Sequence, residues 1–419
     1  MVLLLKFLCS NFASIRDEAV LSLEPSGDQS HPENLLKSGE YTALPEIAIY
    51  GANASGKSSL LTAMSRAVSI LRNSSVRQAG EMIPVVPFCL DDDSPQKPTR
   101  FEFTFTASDG KKYIYGFSAD LEAVREEHLC LSSPKGGSLI FRRTGDSYEF
   151  PGSLRAELSQ RVRMNTPNKL FLATAACWNA KSVLIPYCSL SGSTASVGGA
   201  RDPAPIALEL YRSNPREYAE FAKELLRLAD LELDDILIES EEAGPYGSLM
   251  AATGIMAGGM SPGAGYRTKI TTVHALKTAS GEVRRFRLRL SEEAAGTKRL
   301  IFLAPIIKDA LDSGKTLLAD DIDQSLHPAL VRFLADIFRR AKTNPHGAQL
   351  IFTSHETSLL SENILRPDQV CFTQKCPDTG ATSFFSLDKF RPGDSDGLGK
   401  EYLSGRFGAV PRIKAGEPI

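Results

Sequence analysis

The chain has 419 residues, 42% of them hydrophobic and 23% charged, and its 48 basic and 50 acidic residues give a formal net charge of −2. Such a chain buries a large core, as one big domain with insertions or as two ordinary ones, and it is neither disordered nor fibrous. The balanced charge excludes a general polyanion-coating protein but leaves room for a local basic patch. Seven cysteines (Cys9, Cys89, Cys130, Cys177, Cys188, Cys371, Cys376) are scattered without CxxC pairs. That spacing argues against a disulfide framework or a zinc site and fits a reducing cytosol.

In chain order, the apolar start Val2–Leu8 is broken by Lys6 and is too short for a signal-peptide core, so it predicts a first β-strand. Residues 46–50, EIAIY, predict a second strand. Directly after them comes Gly51-Ala52-Asn53-Ala54-Ser55-Gly56-Lys57-Ser58, and then an apolar helix from near Ser58 with Leu60, Leu61 and Met64 on it. This is GxxxxGK[ST] between a strand and a helix, the setting in which the motif cradles phosphates. Its glycines let the backbone curl so that N–H groups of Asn53 to Ser59 point inward at phosphate oxygens. Lys57 adds positive charge, the Ser58 hydroxyl can ligate Mg²⁺, and the helix N-terminus favours anions. The motif predicts a nucleoside triphosphate site.

Residues 100–106 alternate strictly, Asp109-Gly110 reads as a hairpin turn, and 113–117, 138–142 and 148–150 extend a β-rich stretch. Trp178 and Cys177 read as packing residues. Ser189–Pro203 is Ser- and Gly-rich and predicts a flexible stretch. Residues 204–231 predict helix divided near Pro215, with Ile206, Leu208, Leu210, Tyr211, Tyr218, Phe221, Leu225, Leu226 and Leu228 forming a core stripe. The Gly-, Ala-, Ser- and Met-rich residues 241–267 predict a mobile loop. Val283–Leu290 alternates, placing Arg285, Arg287 and Arg289 on one strand face, either as a solvated face or as a phosphate-tracking strip for nucleic acid. His31, His128, His274 and His346 show no metal-ligand spacing.

Further on, the apolar run Thr316–Ala319 ends in Asp320-Asp321. An acid at this point can hold Mg²⁺, and the next one can orient water or act as a base. A last apolar strand, 349–353, runs into Ser354-His355, where His355 suits a γ-phosphate sensor. No run of about 18 apolar residues occurs, so no membrane span and a cytoplasmic location are expected. No heptad pattern is sustained either, which excludes a long coiled coil.

Taken together, these motifs resemble the ABC-class ATPase heads, in particular prokaryotic relatives of the SMC, RecF and overcoming-lysogenization-defect families. Leu3–Phe7 with Asn11–Ile15 is similar to the opening strand and turn of those families, and Gly51–Ser58 to Walker A. Leu290–Leu300 resembles the signature segment, Asp320–Pro328 (DDIDQSLHP) the Walker B end and D-loop, and Thr353–Glu356 the switch histidine. The tail Glu401–Pro411 resembles abortive-infection antiphage ATPases. The resemblance implies an α/β P-loop ABC-type head, with a mixed sheet flanked by helices, an antiparallel β lobe and a helical insertion. The expected divisions are 1–160 with Walker A, 161–267 as a mainly helical insertion, and 268–419 with signature, Walker B, D-loop and switch histidine.

The resemblance further implies ATP and Mg²⁺ as ligands and a homodimer with composite sites. Lys57, Ser58, Asp320, Asp321 and His355 would come from one subunit, and Glu293, Gly296 and Thr297 from its mate, with His327 either near the seam or packing an ordinary helix N-terminus. In this scheme Lys57, Asp321 and His355 are the catalytic candidates, Ser58 and Asp320 the metal ligands, and Asn53–Ser59 the nucleotide cradle. Two departures bear on turnover. Asp321 stands where relatives carry Glu, a side chain about 1.3–1.5 Å longer, and Ala294 stands where a hydroxyl-bearing residue is usual. Hydrolysis is therefore expected to be slow. The 64 residues after His355 leave no room for an appended Toprim nuclease, so any killing activity is expected in a separately encoded effector. The alternatives are a RecF- or SMC-like DNA-repair ATPase and an ATP-binding scaffold with little hydrolysis.

Overall fold

In the computed structural model the N-terminal apolar run folds as β1 (Leu3–Ser10) and turns back as β2 (Ala19–Ser22). The structure describes residues 1–132, 136–199, 202–231, 233–242, 266–278, 281–361, 364–390 and 397–411. A short hairpin of β3 (Leu36–Ser38) and β4 (Tyr41–Ala43) precedes β5 (Glu46–Gly51), which is buried throughout, and α1 (Lys57–Asn73) follows. The alternating stretch becomes an antiparallel meander of β6 (Thr99–Thr106), β7 (Lys112–Ala119), β8 (Val124–Ser132), β9 (Ser138–Thr144) and β10 (Ser147–Glu149). With β1 and β2 it makes a seven-stranded sheet in the order β10-β9-β8-β7-β6-β1-β2.

Strand β8 escapes the hydrophobic pattern because one of its core positions is Glu127, which is fully buried. Its carboxylate accepts from the Tyr115 hydroxyl (3.0 Å) and from the amides of Phe171 (2.6 Å) and Leu172 (2.9 Å). Glu127 thus caps α3 (Phe171–Cys177), which lies between α2 (Gly152–Val162) and α4 (Lys181–Ser191). Burial pushes its carboxyl up, against the pull of Arg143 and of those donors.

A second sheet has the order β11-β15-β16-β5-β17-β18, built from β11 (Thr194–Gly198), β15 (Thr316–Asp320), β16 (Gln349–Thr353), β5, β17 (Val370–Lys375) and β18 (Thr382–Ser386). From β15 to β17 the pairs are parallel, and β18 returns antiparallel. Part of the Ser/Gly stretch expected to be flexible is therefore an edge strand, and Thr316 N–H donates to the Ser193 carbonyl at 2.7 Å beside it. Helix α1 packs between the two sheets: Leu60, Leu61, Met64, Val68 and Leu71 share one core with Phe7 and Phe103 of the meander and Leu318 and Ile351 of the second sheet. Each fully buried Leu there contributes roughly 1.5–3 kcal/mol.

The chain clusters into two compact units, Met1–Ser196 with Gly314–Asp321 and Ala335–Ile419, and Val197–Ser313 with Ile322–Leu334. These boundaries differ from the three divisions expected: α3 and α4 belong with Walker A, and the signature segment belongs to the second unit. That second unit contains α5 (Ala204–Ser213), α6 (Pro215–Leu228), a three-stranded antiparallel sheet of β12 (Asp235–Glu242), β13 (Tyr266–Lys277) and β14 (Val283–Arg289), and α7 (Ala295–Ser313). The helical stretch breaks at Pro215, and the Asn214 side chain accepts from Glu217 N–H to start α6. Tyr211 donates its hydroxyl to the Ile301 carbonyl of α7 (2.7 Å). Leu208, Tyr211, Leu225 and Leu226 are buried as the stripe predicts, but Ile206 and Leu228 are exposed at its edges. Within 161–267 the described elements are mainly helix, with β11 and β12 as the strands among them. Of the loop expected at 241–267, residues 243–265 lie outside the described residues. The remaining elements are α8 (Pro328–Arg339), α9 (Ser358–Ser361) and α10 (Leu398–Leu403).

Trp178 is 53% exposed and Cys177 is also exposed, so neither is the packing residue expected. No helix among the described residues is long and apolar enough to cross a membrane, and none of their His, Cys, Asp and Glu side chains cluster as a metal site.

Candidate functional site

The phosphate-loop candidate begins where β5 ends. A Cβ on Gly51 would come within 2.4 Å of Thr373 Oγ1 and 2.6 Å of Ser55 Oγ, so this position admits only glycine. Gly56 is constrained twice: its φ is +104°, and a Cβ there would come within 2.2 Å of Thr382 Oγ1. Ala54 also takes a left-handed φ of 61°. Between these points the backbone curls over the start of α1, where the Ser59 N–H donates to the Gly56 carbonyl at 3.1 Å. Lys57 opens α1 with only 6% exposure and donates to the carbonyls of Gly51 (2.8 Å) and Ala52 (3.2 Å), which holds its ammonium under the loop.

The acids arrive by strand register. In the parallel pair β15–β16, Ala319 stands beside Phe352, so the next residues, Asp320 and Thr353, emerge together at the strand ends. Thr353 is fully buried, and its hydroxyl donates to Asp320 Oδ1 at 2.7 Å while accepting from Asp321 N–H at 2.7 Å. One hydroxyl therefore fixes both acids. Asp321 takes a left-handed φ of 48°, which turns the chain out of the strand. Next door, Ser354 donates its N–H to the Ile49 carbonyl of β5 at 3.2 Å, and the exposed His355 follows.

Ser14, Asn53, Ala54, Ser55, Gly56, Lys57, Ser58, Ser59, Asp321 and His355 line a single cleft of about 270 Å³. Asp320 is not part of the lining; it stands behind Asp321, joined to it through Thr353. The sequence reading missed Thr353, Ser14 and Thr382, since lone hydroxyls leave no periodic trace. Ser14 is presented by the turn after β1, where Asn11 (φ 51°) accepts from Phe88 N–H (3.0 Å) and donates to the carbonyls of Ser94 and Lys97 (both 2.8 Å). The AsnPhe-x-Ser spacing was the available signal.

The signature candidates lie in the second unit. Leu290–Glu292 forms a single 3₁₀ turn before α7. A Cβ on Gly296 would come within 2.9 Å of the Ser325 carbonyl oxygen, so this glycine lets the D-loop segment sit close. Thr297 is buried. The carboxylate of Glu293 accepts from the Thr272 hydroxyl and lies 2.7 Å from His274 Nε2. Its side chain is thus engaged by β13.

Residues 47–164 and 281–361 match the family model described as "AAA domain, putative AbiEii toxin, Type IV TA system". The matched segments, just under half of the chain, are similar to an AAA-type domain. In structure comparison the chain is similar to the SMC head domain from Thermotoga maritima (12% identity, 92% of this chain and 98% of that one, TM-score 0.40). An SMC head with coiled coil and joint from Pyrococcus yayanosii (11%, 97% and 100%, TM-score 0.42) and the recombination mediator RecF with ATP (13%, 92% and 99%, TM-score 0.38) are also similar. Likeness at this level says nothing of what the chain does. No curated protein matches the sequence.

Proposed function

We propose that this ATPase domain binds Mg²⁺-ATP in the Walker cleft and hydrolyses it slowly, as a homodimer in which each cleft is completed by the partner's Gly296–Thr297 helix start. The observation that carries the reading is the single cleft onto which the loop of Asn53 to Ser59, Lys57, Asp321 and His355 all open. Phosphate would be met by loop amides, the α1 N-terminus and the Lys57 charge. Ser58 and Asp320 offer oxygen donors suited to a hard cation. Mg²⁺, when bound, neutralises phosphate charge. Asp321 would orient water, its shorter side chain costing on the order of 100-fold in rate per ångström of misplacement, and His355 would read the terminal phosphate.

The matched family's description supports a role in a toxin-type defence system. We infer that ATP-driven closure and opening of the dimer controls a separately encoded effector. Nucleic-acid binding through β14 is less favoured, because Arg285 pairs with Asp234 (2.7 Å) and Arg284 with Glu282 (3.2 Å), which spends two of its arginines. The test is Mg²⁺-dependent ATP turnover by the wild type beside Lys57→Ala and Asp321→Glu. The wild type should turn over slowly, Lys57→Ala should be silent, and Asp321→Glu should be faster. ATP binding without turnover in both the wild type and Asp321→Glu would leave a scaffold.

A further inference from the structure

A chain of three hydroxyls runs along one wall of the cleft. Ser14 Oγ lies 2.8 Å from Ser59 Oγ in the first turn of α1, and 2.8 Å from Thr382 Oγ1 at the start of β18. Thr382 Oγ1 is in turn 2.9 Å from the carbonyl oxygen of Ser55. Ser14 and Ser59 line the cleft, while Thr382 is 7% exposed behind them. The backbone fixes the same geometry: Thr382 N–H donates to the Ser14 carbonyl (2.7 Å), and Ser59 N–H to the Gly56 carbonyl (3.1 Å). Residues 14, 59 and 382 are therefore locked together at the loop, although they are far apart in the sequence.

Each hydroxyl has one proton to give and rotates to suit its surroundings. Ser14 donates to Ser59 Oγ, and Thr382 stands as donor both to Ser14 Oγ and to the Ser55 carbonyl. Thr382 has one proton for those two acceptors, so giving it to Ser14 leaves the Ser55 carbonyl without it. Ser59, accepting from Ser14, keeps its own proton to give. Each donation along such a chain polarises the next, so an acceptor for the Ser59 proton favours the bond from Thr382 to Ser14.

We propose that Ser14 and Thr382 are positioning residues that aim the Ser59 hydroxyl at a phosphate oxygen, and that anion binding draws the Thr382 proton from the Ser55 carbonyl to Ser14. A bound phosphate accepts from Ser59, Ser59 from Ser14, and Ser14 from Thr382, and the Ser55 carbonyl gives up its bond to Thr382. The terminal acceptor moves from the phosphate loop's own backbone to the ligand. Thr382 thus acts on the ligand only through Ser14 and Ser59. The inference rests on the reading of the cleft as a nucleotide site.

The test is ATP affinity by calorimetry for the wild type, Thr382→Val, Thr382→Ser, Ser59→Ala and the double variant Thr382→Val/Ser59→Ala. Thr382→Val should weaken ATP binding about 5- to 20-fold, the loss of one hydrogen bond to a charged group. Thr382→Ser should restore affinity to within about threefold, since it returns the hydroxyl. In the Ser59→Ala background Thr382→Val should cost less than about twofold, because its path to the ligand is gone. An equal loss in both backgrounds, or no loss in the first, overturns the chain. If Thr382→Val does not fold, Ser14→Ala is put through the same cycle with Ser59→Ala and judged by the same outcomes. A wild type that binds no ATP overturns the assignment of the cleft and this proposal with it, a result distinct from additive losses.

Discussion

The Walker cleft and the signature turn are built on opposite plans. In the cleft the charged and hydroxyl groups face a shared opening, and buried residues such as Thr353 and Thr382 hold them there from behind. At the signature turn both acids are engaged, Glu292 by the Arg289 amide and Glu293 by Thr272 and His274, and Thr297 is buried. What that turn can present is backbone and a helix start. One region therefore supplies side-chain chemistry and the other an amide surface, which is the division of labour a composite phosphate site needs.

Substitutions can break this contrast, and the largest effect belongs to the cleft. Lys57→Ala removes a cation held against the loop and should cost on the order of 100- to 1000-fold in ATP affinity or turnover, read by calorimetry and phosphate release. The two glycines then separate the regions. Gly56→Ala must adopt φ +104° and push Thr382 aside, so it should lose about 2–4 kcal/mol of stability together with ATP binding. Gly296→Ala meets only the Ser325 carbonyl; it should cost about 1–3 kcal/mol and reduce turnover while ATP affinity stays within about threefold. Equal losses of affinity from the two would dissolve the contrast.

Smaller effects sharpen the comparison from inside the cleft's scaffold. Thr353→Val leaves the Asp321 amide and one Asp320 oxygen without their partner and should cost about 1–3 kcal/mol; it should also raise the Mg²⁺ concentration that turnover requires. A further effect, read on pH and not on ATP, sits at the other end of β5. Glu46 is fully buried, and burial pushes its carboxyl up to about 8 despite Arg339 3.0 Å away. The unfolded chain releases this proton near 4.5, so between those values the folded state holds a proton that the unfolded state lacks. Stability should therefore fall as pH rises from about 4.5 to about 8 and then level off. Glu46→Gln should flatten that decline, as denaturant midpoints across the range would show.

Much of this architecture could be read in advance, for physical reasons. The strands ending at Asp320 and Thr353 are short, apolar and buried on both faces, and the break at Pro215 follows from its missing donor. The phosphate loop was legible because its glycines answer to sterics that only glycine satisfies. Strand β8 was hidden by the buried Glu127, and edge strand β11 by its Ser/Gly composition. Of the sheet of β12 to β14 only β14 was legible, from the alternation over 283–290. Trp178 was taken as core on residue type alone, and its surroundings left it exposed. Glu293 could not be judged, since its partners Thr272 and His274 come from a strand that pattern did not reveal. Hydroxyls such as Ser14, Thr353 and Thr382 acquire their roles only when distant strand ends meet, which no local pattern encodes.

The most direct test of the composite site is to mix two silent variants, Lys57→Ala and Gly296→Asp, and follow ATP turnover. In a mixed dimer one site joins an intact Lys57 to an intact Gly296, and random pairing should restore about a quarter of wild-type activity. Recovery near that level is the result expected of a site shared between two chains. A mixture that stays silent, beside a wild type that turns over, would contradict it.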